Sequence, residues 1–151
     1  MTTTSLQPVR IQDRNSGLFF EYIPNAANEG VELERKASTD TQEWFVTDSG
    51  VAGYVYIQSK HDNKVITAGD DSRAPLTVDP KKDSLDLNQV WILRDPNDDG
   101  SSNHYFIIQS AKTGYVMNVR GANKNPDAIV QIYQRTNSNN EQFAFIPYGS
   151  D

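Results

Sequence analysis

The sequence predicts an all-β fold of three homologous four-stranded units, and two independent series of landmarks predict it. The first is an apolar-apolar-Gln run, found in "VRIQDRNSGLFFEY", "VYIQSKHDNKVITAG" and "FIIQSAKTGYVMNVRG". Its glutamines, Gln12, Gln58 and Gln109, lie 46 and 51 residues apart. The second is an aromatic hexapeptide, "TQEWFV", "NQVWIL" and "NEQFAF", whose Trp44, Trp91 and Phe143 lie 47 and 52 residues apart. Two unrelated landmarks that share their intervals to within one residue mark a threefold internal repeat. No segment keeps apolar residues at helical spacing over three turns, so no long helix is expected.

The third unit shows what each repeat contains. "HYFIIQSA", "YVMNVRG", "AIVQIYQ" and "QFAFIPY" are short runs rich in Val, Ile, Tyr and Phe, as strands are. "KTG", "ANKNPD" and "TNSNN" between them carry turn residues. Three units of four strands cannot close a propeller ring. They can close a six-stranded barrel capped by three hairpins, which also removes exposed sheet edges. That arrangement is a β-trefoil with pseudo-threefold symmetry. We expect one domain over 1–151, with repeats near 8–52, 53–98 and 99–148. Trp44, Trp91 and Phe143 would point inward and meet near the axis. The Gln before each Trp would bond to backbone in a neighbouring hairpin, because a buried amide needs partners.

Composition narrows the function. The chain has 151 residues, 36% hydrophobic and 23% charged, which suits one globular domain. Net charge is −6 and the basic residues are scattered, which argues against nucleic acid as partner. No apolar run is long enough to span a bilayer, so no membrane insertion is expected. There is no cysteine, no Asn-x-Ser/Thr site, and "MTTTSLQPVRIQ" lacks the features of a secretory signal. A cytoplasmic location is expected, with non-classical secretion as an alternative route.

The triplicate Gln-x-Trp pattern, from about Val9 to Tyr148, resembles the ricin B-type lectins. The resemblance implies a shallow sugar site in each unit: an acid at the end of the second strand, a Gln and an aromatic on the third, and an Asn before the Gln of Gln-x-Trp. Sugar hydroxyls donate to the carboxylate and accept from amides, and the C–H face of the sugar stacks on the ring. In unit three, Asn118 fills the acidic slot, Gln131 and Tyr133 the third strand, Asn140 the Asn position and Glu141 the Gln position. Asn has replaced the acid and Glu the Gln, so a carboxylate is still expected, relocated to Glu141. Unit one offers Glu21, Glu34 in place of the ring, and Thr41; unit two offers Thr67, Lys81 and Asn88. One competent site is expected, in unit three. By this resemblance the protein is a non-catalytic lectin for terminal galactose or N-acetylgalactosamine on glycoproteins or glycolipids. It would use no cofactor and no metal, act in defence, and form a homodimer if it cross-links cells.

Other patterns point elsewhere. The segment 71–84, "DSRAPLTVDPKKDS", reads as the longest loop and suggests a trefoil protease inhibitor as the alternative function. "DPNDDGS" from Asp95 matches the first half of a calcium loop but has Phe106 where the closing Glu belongs. His61 and His104 join no cluster of zinc-ligand spacing, and no nucleophile elbow or phosphate loop is present, so an enzyme is not expected.

Overall fold

The computed structural model describes residues 7–24, 30–97 and 104–147. Within them twelve strands follow one another: β1 Val9–Asp13, β2 Phe19–Ile23, β3 Gly30–Glu34, β4 Trp44–Asp48, β5 Val55–Ser59, β6 Val65–Thr67, β7 Thr77–Asp79, β8 Trp91–Arg94, β9 Tyr105–Ser110, β10 Val116–Val119, β11 Val130–Tyr133 and β12 Phe143–Pro147. Only short 3₁₀ turns interrupt them. No helix among the described residues is long and apolar enough to cross a membrane. The calcium-like motif ends at Asp99 and Gly100, and unit three is expected to run to Tyr148; both points lie outside the described residues.

Pairing closes a ring. β1 pairs with β4, β4 with β5, β5 with β8, β8 with β9, β9 with β12, and β12 with β1. The remaining strands form the hairpins β2–β3, β6–β7 and β10–β11. This is the β-trefoil. Its six barrel strands leave no open edge.

The sequence repeats act as repeated local devices. Gln12, Gln58 and Gln109 each donate Nε2 to the carbonyl five residues ahead, at Gly17, Asn63 and Gly114, in 2.9–3.2 Å bonds. All three acceptor residues sit at positive φ, between 66° and 83°, which Gly and Asn tolerate best. The repeated Gln thus staples the tight turn between the first and second strands of its unit.

The three aromatics are fully buried in one apolar cluster with Phe20, Ile66 and Met117. Trp44 and Trp91 each donate the indole N–H to a second-strand carbonyl, Phe20 O and Ile66 O. Phe143 has no such donor and packs edge-on to Phe20, with ring centroids 5.0 Å apart. Gln42 and Gln89 are buried and do bond to backbone, as expected, but within their own unit. Gln42 spans Arg35 O and Ala37 N, and Gln89 spans Pro80 O and Lys82 N. Each ties the exit of its third strand to the start of its fourth.

The segment 71–84 is not the free loop the sequence suggested. Arg73 N bonds to Ile132 O and Leu76 N to Val130 O, while Thr77–Asp79 forms β7 with Leu76 and Val78 buried. The part read as a presented loop contains a strand and is pinned to unit three by its backbone. Trp91→Ala would lose the packing of a full indole and the bond to Ile66 O. Urea unfolding should show a loss of about 3–5 kcal/mol with unchanged slope; a loss under about 1 kcal/mol would mean that the hub is not what holds the three units.

Candidate functional site

The capping hairpins set three equivalent frames, because each pairs its second strand with its third in the same register. Asn118 faces Gln131, Glu21 faces Glu32, and Thr67 faces Thr77. Two residues further along each third strand comes Tyr133, Glu34 or Asp79. The residue in unit two's aromatic slot is therefore Asp79. Lys81 lies beyond the strand and places its ammonium 4.4 Å from the Tyr56 ring centroid. A two-residue misreading of the gap before "TVD" separates expectation from structure. Neither the acid of unit one nor that of unit two supplies a ring.

Unit three opens onto a cavity of about 480 Å³, within the range of small-molecule sites, about 300–1,000 Å³. Asn118, Gln131, Tyr133 and Asn140 all line it. Tyr133 is half-buried, at the end of β11, and Asn118 and Gln131 are 5% and 4% exposed. The rest of the wall comes from the turn after β10, with Arg120, Gly121 and Ala122, from Thr136 and Ser138 in the loop before β12, and from Arg73. Gly121 holds a φ of +64° and a Cβ there would meet nothing within 4 Å, so the turn needs glycine for its backbone and not for space.

Arg73 and Arg120 are the residues that sequence reasoning missed. Arg73 arrives from unit two, carried by the backbone bonds between segment 73–76 and β11. Its guanidinium stands 5.8 Å from the Tyr133 ring centroid. Arg120 donates Nε to Gln131 Oε1 at 2.8 Å and Nη2 to Arg73 O at 3.0 Å. Gln131 in turn donates Nε2 to Asn118 Oδ1 at 3.1 Å. A guanidinium cannot accept, so this chain fixes both amide orientations and leaves Asn118 Nδ2 without a partner among the described residues.

Asn140 is bound differently. It donates Nδ2 to Val119 O at 2.9 Å and accepts the Ser138 hydroxyl. Asn88 does the same in unit two, donating to Ala68 O at 2.8 Å. The Asn therefore docks the loop before the fourth strand onto the end of the second strand, with both ends of its amide engaged in unit three. Glu141 is fully buried and lies outside the cavity wall. Its carboxylate accepts from Thr136 N at 2.7 and 3.1 Å and from Thr136 Oγ1 at 2.9 Å. This is the place that Gln42 and Gln89 hold in the other units, so the carboxylate expected to be relocated into the site is turned into the fold. Among the described residues, the cavity wall carries no acid.

Unit one is the inverse. Glu32 and Glu34 of β3 are joined by Asp127, which the turn before β11 brings across from unit three; the three carboxylates lie within 4.8 Å of one another. Asp127 N bonds to Leu33 O as Arg73 N bonds to Ile132 O, and both residues hold a φ of 72°. Asp127 is thus the counterpart of Arg73. Carboxylates this close can share one cation or one proton. Burial pushes the Glu34 carboxyl up to about 7, helped by its hydrogen bond with Asp127 and by the charges of Asp127, Glu21 and Glu32. Burial and the charges of Asp127 and Glu21 raise Glu32 as well.

Two outcomes follow. A carboxyl raised above its unfolded value of 4.5 favours the native state while protonated, and that advantage is lost as pH rises from 4.5 through about 7. Melting temperatures of Glu34→Gln and the parent should therefore diverge in the variant's favour over that window; a constant difference would contradict the shared proton. Glu141→Gln should keep or raise the melting temperature, whereas Glu141→Ala, which strands the Thr136 N–H, should cost about 1–3 kcal/mol by chemical denaturation.

Comparison with known proteins agrees with this fold. Residues 87–151, less than half of the chain, match the family described as ricin-type beta-trefoil lectin domain-like. No curated protein matches the chain in sequence. A designed threefold-symmetric protein, ThreeFoil, superposes with a TM-score of 0.80 at 20% identity, covering 92% of this chain and 97% of that one. A ricin B-like lectin of Macrolepiota procera, solved with lactose, gives 0.77 at 14% identity over 97% and 99%. SeviL, solved with the asialo-GM1 saccharide, gives 0.69 at 14% identity over 95% and 99%. At these identities the superpositions show the β-trefoil fold. The family match falls on the part of the chain that holds the unit-three cavity.

Proposed function

From the ricin-type match over residues 87–151 we infer that this chain is a carbohydrate-binding protein without catalytic activity, and that it takes a terminal galactose-type residue in the unit-three cavity. The observation that supports it most is the meeting of one partly exposed ring, Tyr133, with a fixed amide pair, Asn118 and Gln131, in a cavity of sugar-compatible size. Tyr133 stacks on the C–H face of the sugar. Asn118 Nδ2 donates to a ring hydroxyl, and Arg73 and Asn140 border the same space. The lactose and asialo-GM1 saccharides held by two proteins of the same fold are in keeping with galactose or N-acetylgalactosamine.

The energetics suit a weak, reversible site. A few hydrogen bonds contribute about 1 kcal/mol each and stacking about 0.5–1.5 kcal/mol. Affinity then falls between millimolar and tens of micromolar, on the order of −4 to −6 kcal/mol. With one ring-bearing frame per chain, agglutination requires a homodimer or larger assembly, and multivalent glycoproteins or glycolipids are the fitting targets.

Tyr133→Ala tests this directly. On a glycan array the parent should bind galactose-terminated glycans and the variant should lose that binding at an unchanged melting temperature. Equal binding by a folded Tyr133→Ala would overturn the assignment. A parent silent on every glycan but inhibiting a protease would favour the inhibitor reading.

A further inference from the structure

Resting on that reading of the cavity, we propose that the glycan it prefers is acidic: a galactose-type terminus carrying a carboxylate or a sulfate, held by the paired arginines Arg73 and Arg120. The argument is a count of donors against acceptors. Neutral sugar hydroxyls are best held by a mixture, with a charged acceptor among them. Here no carboxylate lines the cavity among the described residues, because Asn118 stands in the acidic slot and Glu141 is committed to Thr136.

Each amide oxygen already accepts one bond, which leaves it a single lone pair. Gln131 Oε1 accepts from Arg120, Asn118 Oδ1 from Gln131, and Asn140 Oδ1 from Ser138. Donors remain. Asn118 Nδ2 faces no partner, and the Arg73 guanidinium has no hydrogen-bond or ion-pair partner among the described residues, only the Tyr133 ring. Arg120 spends Nε and Nη2 inside the protein and keeps Nη1. A wall rich in donors, with the anchored Arg120 charge beside the unpaired Arg73 charge, complements an oxyanion, which a guanidinium can meet with two parallel bonds.

The two arginines are also positioned rather than merely nearby. Arg120 donates to the backbone carbonyl of Arg73, so the two are tied to each other across the boundary between units three and two. The unit-one frame shows that the same backbone geometry accepts the opposite arrangement. There Asp127 replaces Arg73, and Glu21, Glu32 and Glu34 replace Asn118, Gln131 and Tyr133. With an overall charge of −6, the molecule's general field does not draw anions in; attraction has to come from these two residues at contact distance.

Calorimetric titration of the full chain with lactose, sialyllactose, sulfated lactose and sodium sulfate tests the proposal, alongside Arg73→Ala and Arg73→Lys, each checked by thermal melting. At least one acidic sugar should bind about tenfold more tightly than lactose, a gain that added salt reduces. Arg73→Ala should bring that ratio close to one, and Arg73→Lys should recover part of it. Lactose binding as well as both acidic sugars overturns the acid preference while leaving the galactoside reading intact. A preference that persists in folded Arg73→Ala overturns the role of this cavity in it. Competition by free sulfate as strong as by sulfated lactose shows a bare anion site and overturns the acidic-sugar proposal. Failure of every sugar overturns the parent reading together with this one.

Discussion

Trp44, Trp91 and Phe143 have to share one dry centre, and the rest of the architecture is a consequence of that requirement. Each sits at the start of the fourth strand of its unit, so bringing the three together forces six strands into a closed ring and leaves three hairpins to cap one end. A closed ring solves the edge problem without charged guards or covering helices. It also explains why Gln42, Gln89 and Glu141 matter: the chain must turn sharply from the cap back into the barrel, and these side chains satisfy the backbone groups stranded there.

Once the fold is set by the hub, the caps are free to differ. The register Glu21–Glu32, Thr67–Thr77 and Asn118–Gln131 is the same backbone geometry carrying three different chemistries. One frame is a cluster of carboxylates, one holds small hydroxyls and an aspartate, and one has amides, a ring and two arginines. Local charge can diverge in this way because these positions alternate along the cap strands with the residues that fill the core, such as Phe20, Leu33, Met117 and Ile132. The carboxylate that sequence comparison moves from Asn118's slot to Glu141 shows the limit of that freedom: position 141 belongs to the strand-exit device, and a charge there is spent on Thr136.

The repeat and the trefoil were legible because their signals are local. A Gln that staples a five-residue turn, and an aromatic two places after a Gln or Glu, repeat in the chain as they do in space. That Asn118, Gln131, Tyr133 and Asn140 come together was legible for the same reason, since each lies within one unit. Arg73 was not, because it reaches Tyr133 from the preceding unit through pairing between 73–76 and β11. A faint trace exists: "RAPLTVD" aligns with "DAIVQIY", which matches Arg73 to Asp127 and Asp79 to Tyr133. Reading that alignment would also have avoided placing Lys81 on the third strand. The strand inside 71–84 escaped notice because three residues followed by Pro80 and Lys81 give too short a pattern to register.

The central claim is that ligand recognition is confined to the unit-three frame although all three frames share one backbone. Amide chemical shifts followed during a lactose titration of the full chain test it most directly. The account predicts shifts at the side-chain amides of Asn118 and Gln131, at Tyr133 and in the turn 120–122, with the frames around Glu34 and Asp79 unmoved. Perturbations centred on either of those frames, or spread evenly over the three, would contradict it.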